Sequence, residues 1–112
     1  MKIVFVLLGF CAASFAVLPP LQQFHCGSTD VQKIVAWKTL DLQCSEHGAY
    51  ANRCCQEHDR CYTEQRGQTI CDDAFCDCLN STLTSENCSS VTVQFCSAVK
   101  LFGDTYYVKA AL

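Results

Sequence analysis

The chain has no excess of positive charge. Eight Lys and Arg stand against eleven Asp and Glu, a formal net charge of −3. A nucleic-acid-binding domain needs the opposite balance, so that class is excluded, as is a broadly cationic membrane-binding surface. Contact with a lipid surface would have to rest on apolar and aromatic side chains. The sequence also lacks an apolar run fit to span a bilayer: Ile3 to Cys11 is too short, and Pro19-Pro20 follow soon after. There is no internal repeat, no linker-like segment and no sign of a second domain. No Cys/His spacing matches a standard zinc module.

Cysteine, by contrast, is abundant. The first residues read as a secretory leader: Lys2 is the charged start, Ile3 to Cys11 the apolar run, and Ser14-Phe15-Ala16 a small-residue end suited to cleavage after Ala16, with Ala13 as the alternative. Residues 1–16 are therefore expected to be a signal peptide and 17–112 one domain. Eleven cysteines are present, and Cys11 falls in the leader, which leaves ten. An even number in an oxidising compartment points to five bridges, the usual support for a domain with a limited core.

The pattern downstream is mainly helical. Asp30 to Leu42 reads as a helix with Thr29 or Asp30 as cap and Val31, Ile34, Val35 and Leu42 on its apolar face, widened by Trp37 and Leu40. Trp37 reads as a packing residue. Gln43 to Tyr50 is a polar loop. Asn52 is placed to cap a second helix running to about Gln65, with Gly67 beyond its end. A third helix is expected from Ile70 to Leu83, with Asp72 and Asp73 near its positive end. The tail fits either a strand pair or a further helix. Asn80-Ser81-Thr82 and Asn87-Cys88-Ser89 are glycosylation sequons, so Asn80 and Asn87 are candidate glycan sites.

One decapeptide carries the chemistry: Arg53-Cys54-Cys55-Gln56-Glu57-His58-Asp59-Arg60-Cys61-Tyr62. On a helix, Cys54, His58 and Cys61 share a face. Antiparallel helices pair residues whose numbers have a constant sum. Cys54 with Cys78 and Cys61 with Cys71 share one sum, and His58 with Asp72 falls within two of it. Two bridges could thus hold a histidine opposite an aspartate, although ten cysteines allow other pairings. The carboxylate would fix the imidazole tautomer and support the imidazolium formed when the other nitrogen takes a proton. No serine or cysteine nucleophile is placed beside His58, so such a base would act on water. The same pair can equally be structural. His25 and His47 read as surface residues.

The decapeptide resembles the active-site helix of secreted phospholipase A2, and Cys71-Asp72-Asp73-Ala74-Phe75-Cys76-Asp77-Cys78-Leu79 resembles the corresponding segment of the family's bee-venom-type branch. The likeness runs from about Cys44 to Leu79. It implies a mainly α, disulfide-rich phospholipase A2-like fold: two antiparallel stapled helices with an N-terminal helix packed on them. It implies His58 as the general base, Asp72 as its orienting partner and Tyr62 as a hydrogen-bonding support. Asp59 would give a carboxylate to Ca2+. The family's glycine-rich calcium loop would correspond to Cys44–Asn52, which holds one glycine and is short; Cys44 and Glu46 are its candidate metal positions. The implied bridges are Cys44–Cys55, Cys54–Cys78 and Cys61–Cys71. Cys26, Cys76, Cys88 and Cys96 remain, with three possible pairings, of which Cys76–Cys88 with Cys26–Cys96 is the expectation.

The activity so implied is that of a secreted, extracellular hydrolase. It would cleave the sn-2 ester of a glycerophospholipid at a membrane or micelle surface, with calcium stabilising the oxyanion. The alternatives are a catalytically inactive, toxin-like binding module on the same scaffold and a stapled domain whose His–Asp pair is structural.

Overall fold

The computed structural model describes residues 17–112; the signal-peptide reading of residues 1–16 lies outside them. The described residues form four α-helices and no strand: α1 Asp30–Gln43, α2 Gly48–Thr63, α3 Gln68–Thr82 and α4 Ser89–Ala110. Short 3-10 turns stand before α1, α2 and α4. The tail left open between strands and a helix is the longest helix of the set. No helix among the described residues is long and apolar enough to cross a membrane.

Local signals explain most boundaries. Thr29 closes a capping box with Gln32 and starts α1, one of the two caps expected there. α2 begins at Gly48, four residues before Asn52. Asn52 does not cap it. Its side chain instead accepts from the His25 N–H at 2.6 Å and donates to the Gln23 carbonyl at 3.2 Å, which fixes the lead-in against α2. Gly48 suits this start because a Cβ there would collide with Leu18. Gly67, with φ of 117°, makes the turn between α2 and α3.

Five disulfides join these elements: Cys26–Cys55, Cys44–Cys88, Cys54–Cys78, Cys61–Cys71 and Cys76–Cys96. The two pairs with a common sum are present, and they hold α2 and α3 antiparallel. The other expected pairings are corrected. Cys55 takes Cys26 rather than Cys44, because it points away from α3 toward the lead-in. Cys44, at the end of α1, takes Cys88 at the start of α4. Cys76 takes Cys96, which ties α3 to α4. The long tail helix was the missing term: it brings Cys88 and Cys96 to two separate partners.

The core lies between α2, α3 and the first half of α4, with Leu40, Ala51, Phe75, Leu79 and Val91 buried together with the bridges. α1 contributes less than its pattern suggested. Only Leu40 is buried, while Val31, Val35 and Leu42 are exposed and Ile34 is 44% exposed. Trp37 packs against the core and its indole N–H donates to the Pro19 carbonyl at 2.9 Å.

Candidate functional site

His58 sits on the α2 face that looks at α3, one turn after Cys54 and just before Cys61. Both cysteines are bridged across the gap. The staples therefore set the distance at which α3 presents Asp72. His58 Nε2 donates to Asp72 Oδ1 at 2.7 Å, and the Tyr62 hydroxyl donates to the same oxygen at 2.7 Å. Asp72 is buried, with 4% of its surface exposed. A carboxylate in that position requires the proton on Nε2, which leaves Nδ1 as the basic nitrogen. The imidazole is held between two rings, Tyr62 at 4.3 Å and Phe75 at 4.9 Å between centroids. Burial, and then the hydrogen bond to Asp72, push the Tyr62 phenol above its ordinary range, so it stays a donor.

A cleft of about 290 Å³ opens over His58. α1 and α4 form its walls, with Ala36, Phe95, Val99 and Phe102 among the apolar lining, and Phe75 lies beside His58. Val35 and Phe102 line it and are also 60% and 65% exposed, so they form an apolar lip. Gln32 Nε2 donates to the Tyr106 hydroxyl at 3.2 Å and links the two walls.

Asp59 also faces this cleft. It lies four residues after Cys55, so both share a face of α2. The Cys26–Cys55 bridge accordingly sets the segment His25–Ser28 beside Asp59, and all five residues line the cleft. The residue is exposed to solvent, although much of its surroundings is protein. Burial still raises its carboxyl from an ordinary 3.8 to about 6, with Lys33 pulling weakly the other way. No cation lies within ion-pair distance of it among the described residues.

Four of the expected site residues thus converge: His58, Asp59, Tyr62 and Asp72. Cys44 and Glu46 do not. They stand at the α1–α2 junction, absent from the cleft lining. Glu46, His47 and Cys88 do bring ligand atoms within 4.8 Å of one another. The Cys88 sulfur is bridged to Cys44, however, so that group offers two ligands rather than three. The segment that lines the cleft with Asp59 is His25–Ser28, so the partly exposed His25 lies at the cleft. A cysteine–glycine pair was visible at Cys26-Gly27, but it lies a whole helix before the decapeptide. Asn80 and Asn87 are both exposed; Cys88, inside the second sequon, is buried and bridged.

Two further residues were not singled out. Gly103 of α4 is buried, and a Cβ there would run into the Tyr62 hydroxyl and stand 3.6 Å from Asp72 Oδ2. Glycine inside a helix costs roughly 0.5–1 kcal/mol against alanine, so its use here reflects the close approach. One turn on, Tyr107 accepts from the Gly67 N–H at 2.8 Å and meets Tyr62 edge-on at 5.0 Å.

Fold and site together define a disulfide-stapled helical protein with a buried His–Asp–Tyr cluster at the floor of an apolar cleft. Comparison with known proteins agrees with that class. The chain is 35% identical over 97 residues to the phospholipase A2-like protein Y52B11A.8 of Caenorhabditis elegans, a match covering 82% of this chain and 56% of that protein. The chain thus spans little more than half the length of the curated relative, and the similarity supports a phospholipase A2-like family. No protein-family model matches the chain, and no solved structure does. Five bridges and this relationship are compatible with a secreted protein.

Proposed function

We propose that the protein is a secreted, calcium-dependent phospholipase A2 that hydrolyses the sn-2 ester of glycerophospholipids. The observation that carries the reading is the hydrogen-bonded chain His58–Asp72–Tyr62 at the base of an apolar cleft. His58 Nδ1 takes a proton from water as the water attacks the ester carbonyl. Asp72 stabilises the imidazolium through the Nε2 bond, and Tyr62 orients the carboxylate. The proton then passes from Nδ1 to the leaving alcohol. Phe75, Phe95, Val99 and Phe102 receive the acyl chains and keep bulk water from the base.

The donor chemistry fits Ca2+. Asp59 is a carboxylate with no ion-pair partner among the described residues, and His25–Ser28, whose peptide carbonyls would be the further oxygen donors, line the same cleft. Calcium takes six to eight oxygens, so these residues would be completed by water or substrate. When bound, the ion would supply charge for the ester oxygen. A non-hydrolytic lipid-binding module is the second reading. It is favoured by the single carboxylate beside that segment and by Ser28 and Thr29, which follow Gly27 without a second glycine.

The test is positional. Vesicles of a zwitterionic phospholipid carrying distinct sn-1 and sn-2 chains are incubated with the oxidised protein and millimolar calcium. Selective release of the sn-2 acid supports the hydrolase, sn-1 release overturns the assignment, and vesicle binding without release selects the module.

A further inference from the structure

The dyad is backed by a third element. α4 carries a buried glycine, Gly103, close to Asp72 Oδ2, the carboxylate oxygen that His58 does not bond. The atoms nearest to a Cβ built on it are the Tyr62 hydroxyl, then Gln68 Nε2 at 3.4 Å and Asp72 Oδ2 at 3.6 Å. The space that Gly103 leaves empty is thus the space in which the tyrosine hydroxyl reaches the carboxylate. Tyr107 lies four residues on, hence on the same face of α4. Its ring edge meets Tyr62 at 5.0 Å and 87°, which limits the swing of that ring. Its hydroxyl accepts from the Gly67 N–H at 2.8 Å, and its carbonyl accepts from Gln65 Nε2 at 2.8 Å. Gln65 Nε2 also donates to the Tyr62 carbonyl at 2.7 Å. Tyr62 is therefore held at its ring, at its backbone and, by the missing Cβ, at its hydroxyl.

We propose that Gly103 and Tyr107 are positioning residues of the catalytic pair: through Tyr62 they aim a second donor at Asp72 and so set the carboxylate that orients His58. The kinetic consequence rests on the hydrolase reading; the hydrogen-bond geometry does not. A buried carboxylate oxygen sharing two donors is fixed in direction, whereas one with a single donor can rotate with it. Loss of the tyrosine donor should act on turnover more than on substrate binding, because Tyr107 stands outside the cleft lining and Gly103, although it lines the cleft, presents no side chain to an acyl chain.

The experiment compares wild type, Gly103→Ala, Tyr62→Phe and the double variant. The first readout is the hydrogen-bonded Nε2–H proton of His58 in one-dimensional proton NMR. The second is kcat and KM on mixed micelles. Gly103→Ala should displace that resonance as Tyr62→Phe does and should lower kcat roughly tenfold with KM within about twofold, the scale of one charge-assisted hydrogen bond. The double variant should match Tyr62→Phe alone, since the clash is with a hydroxyl that is no longer there. An unmoved resonance in Gly103→Ala, or kcat losses that multiply in the double variant, would overturn the proposal. Tyr107→Leu introduces no clash and settles the matter if Gly103→Ala does not fold: the resonance should shift, and an unchanged one refutes the role. If wild type hydrolyses nothing, the hydrolase reading fails alone, and the resonance still decides this one.

Discussion

Asp59 offers a prediction whose sign can be worked out. Its carboxyl is raised by burial from 3.8 to about 6, with only Lys33 opposing. The folded protein therefore holds this proton more tightly than the unfolded chain does. The stability contributed by the protonated group is present below about pH 3.8 and is lost as pH rises through about 6. Asp59→Asn removes that loss. Without metal, the variant should gain stability relative to wild type between those two values and keep the gain at neutral pH. On the proposed function calcium should reverse the order, because it would bind the ionised carboxylate. At pH 7, one unit above its raised value, about nine in ten molecules have Asp59 ionised. Below that value, apparent calcium affinity should fall by about tenfold per pH unit. At a hundred times its dissociation constant, calcium should add about 2.7 kcal/mol to wild type and almost nothing to Asp59→Asn. Thermal unfolding of both proteins from pH 4 to 8, with calcium and with chelator, reads all of this. Parallel pH curves in chelator, or an equal calcium shift in the variant, would refute the reasoning.

Further outcomes follow from single contacts. Asp72→Asn removes the charge that supports the imidazolium and lets an amide N–H compete for Nε2, so turnover should drop on the order of 10³–10⁴-fold while far-ultraviolet dichroism is unchanged. Cys26→Ser with Cys55→Ser opens a loop of sequence separation 29; about 3–4 kcal/mol of stability should go by denaturant titration, and calcium binding should go with it. Leu79→Ala empties a fully buried site at the centre of the core, so chemical denaturation should show a loss of roughly 3–5 kcal/mol, with hydrolysis by the remaining folded protein intact.

How much of this was readable in advance depends on range. Cys54, His58, Cys61, Cys71, Asp72 and Cys78 obey helix periodicity within two adjacent helices, so a spacing argument suffices and the His58–Asp72 pair follows. Residues brought in from afar do not announce themselves that way. Cys26 reaches Cys55 only because Asn52 and the bridge fold the lead-in back on α2, and no local pattern encodes that return. The same holds for Gly103, whose meaning lies in the hydroxyl it faces rather than in its neighbours. Taking Cys44 as the start of a metal loop assumed that loop and helix are contiguous; the segment that lines the cleft with Asp59 is His25–Ser28, and α1 lies between it and α2. The exposed face of α1 misled in another way. Val31, Ile34 and Val35 have core-like spacing, yet Val35 ends as a wall and lip of a cleft, where apolar surface is left uncovered.

The central claim is that His58, held by Asp72, acts as a base on water at a lipid ester. The direct test is fatty-acid release from phospholipid vesicles by wild type and by His58→Gln, each with five intact bridges, in calcium and in chelator. The account predicts release by wild type in calcium, none in chelator, and none from His58→Gln in either. Equal release from His58→Gln, or no release from wild type in calcium, would contradict it.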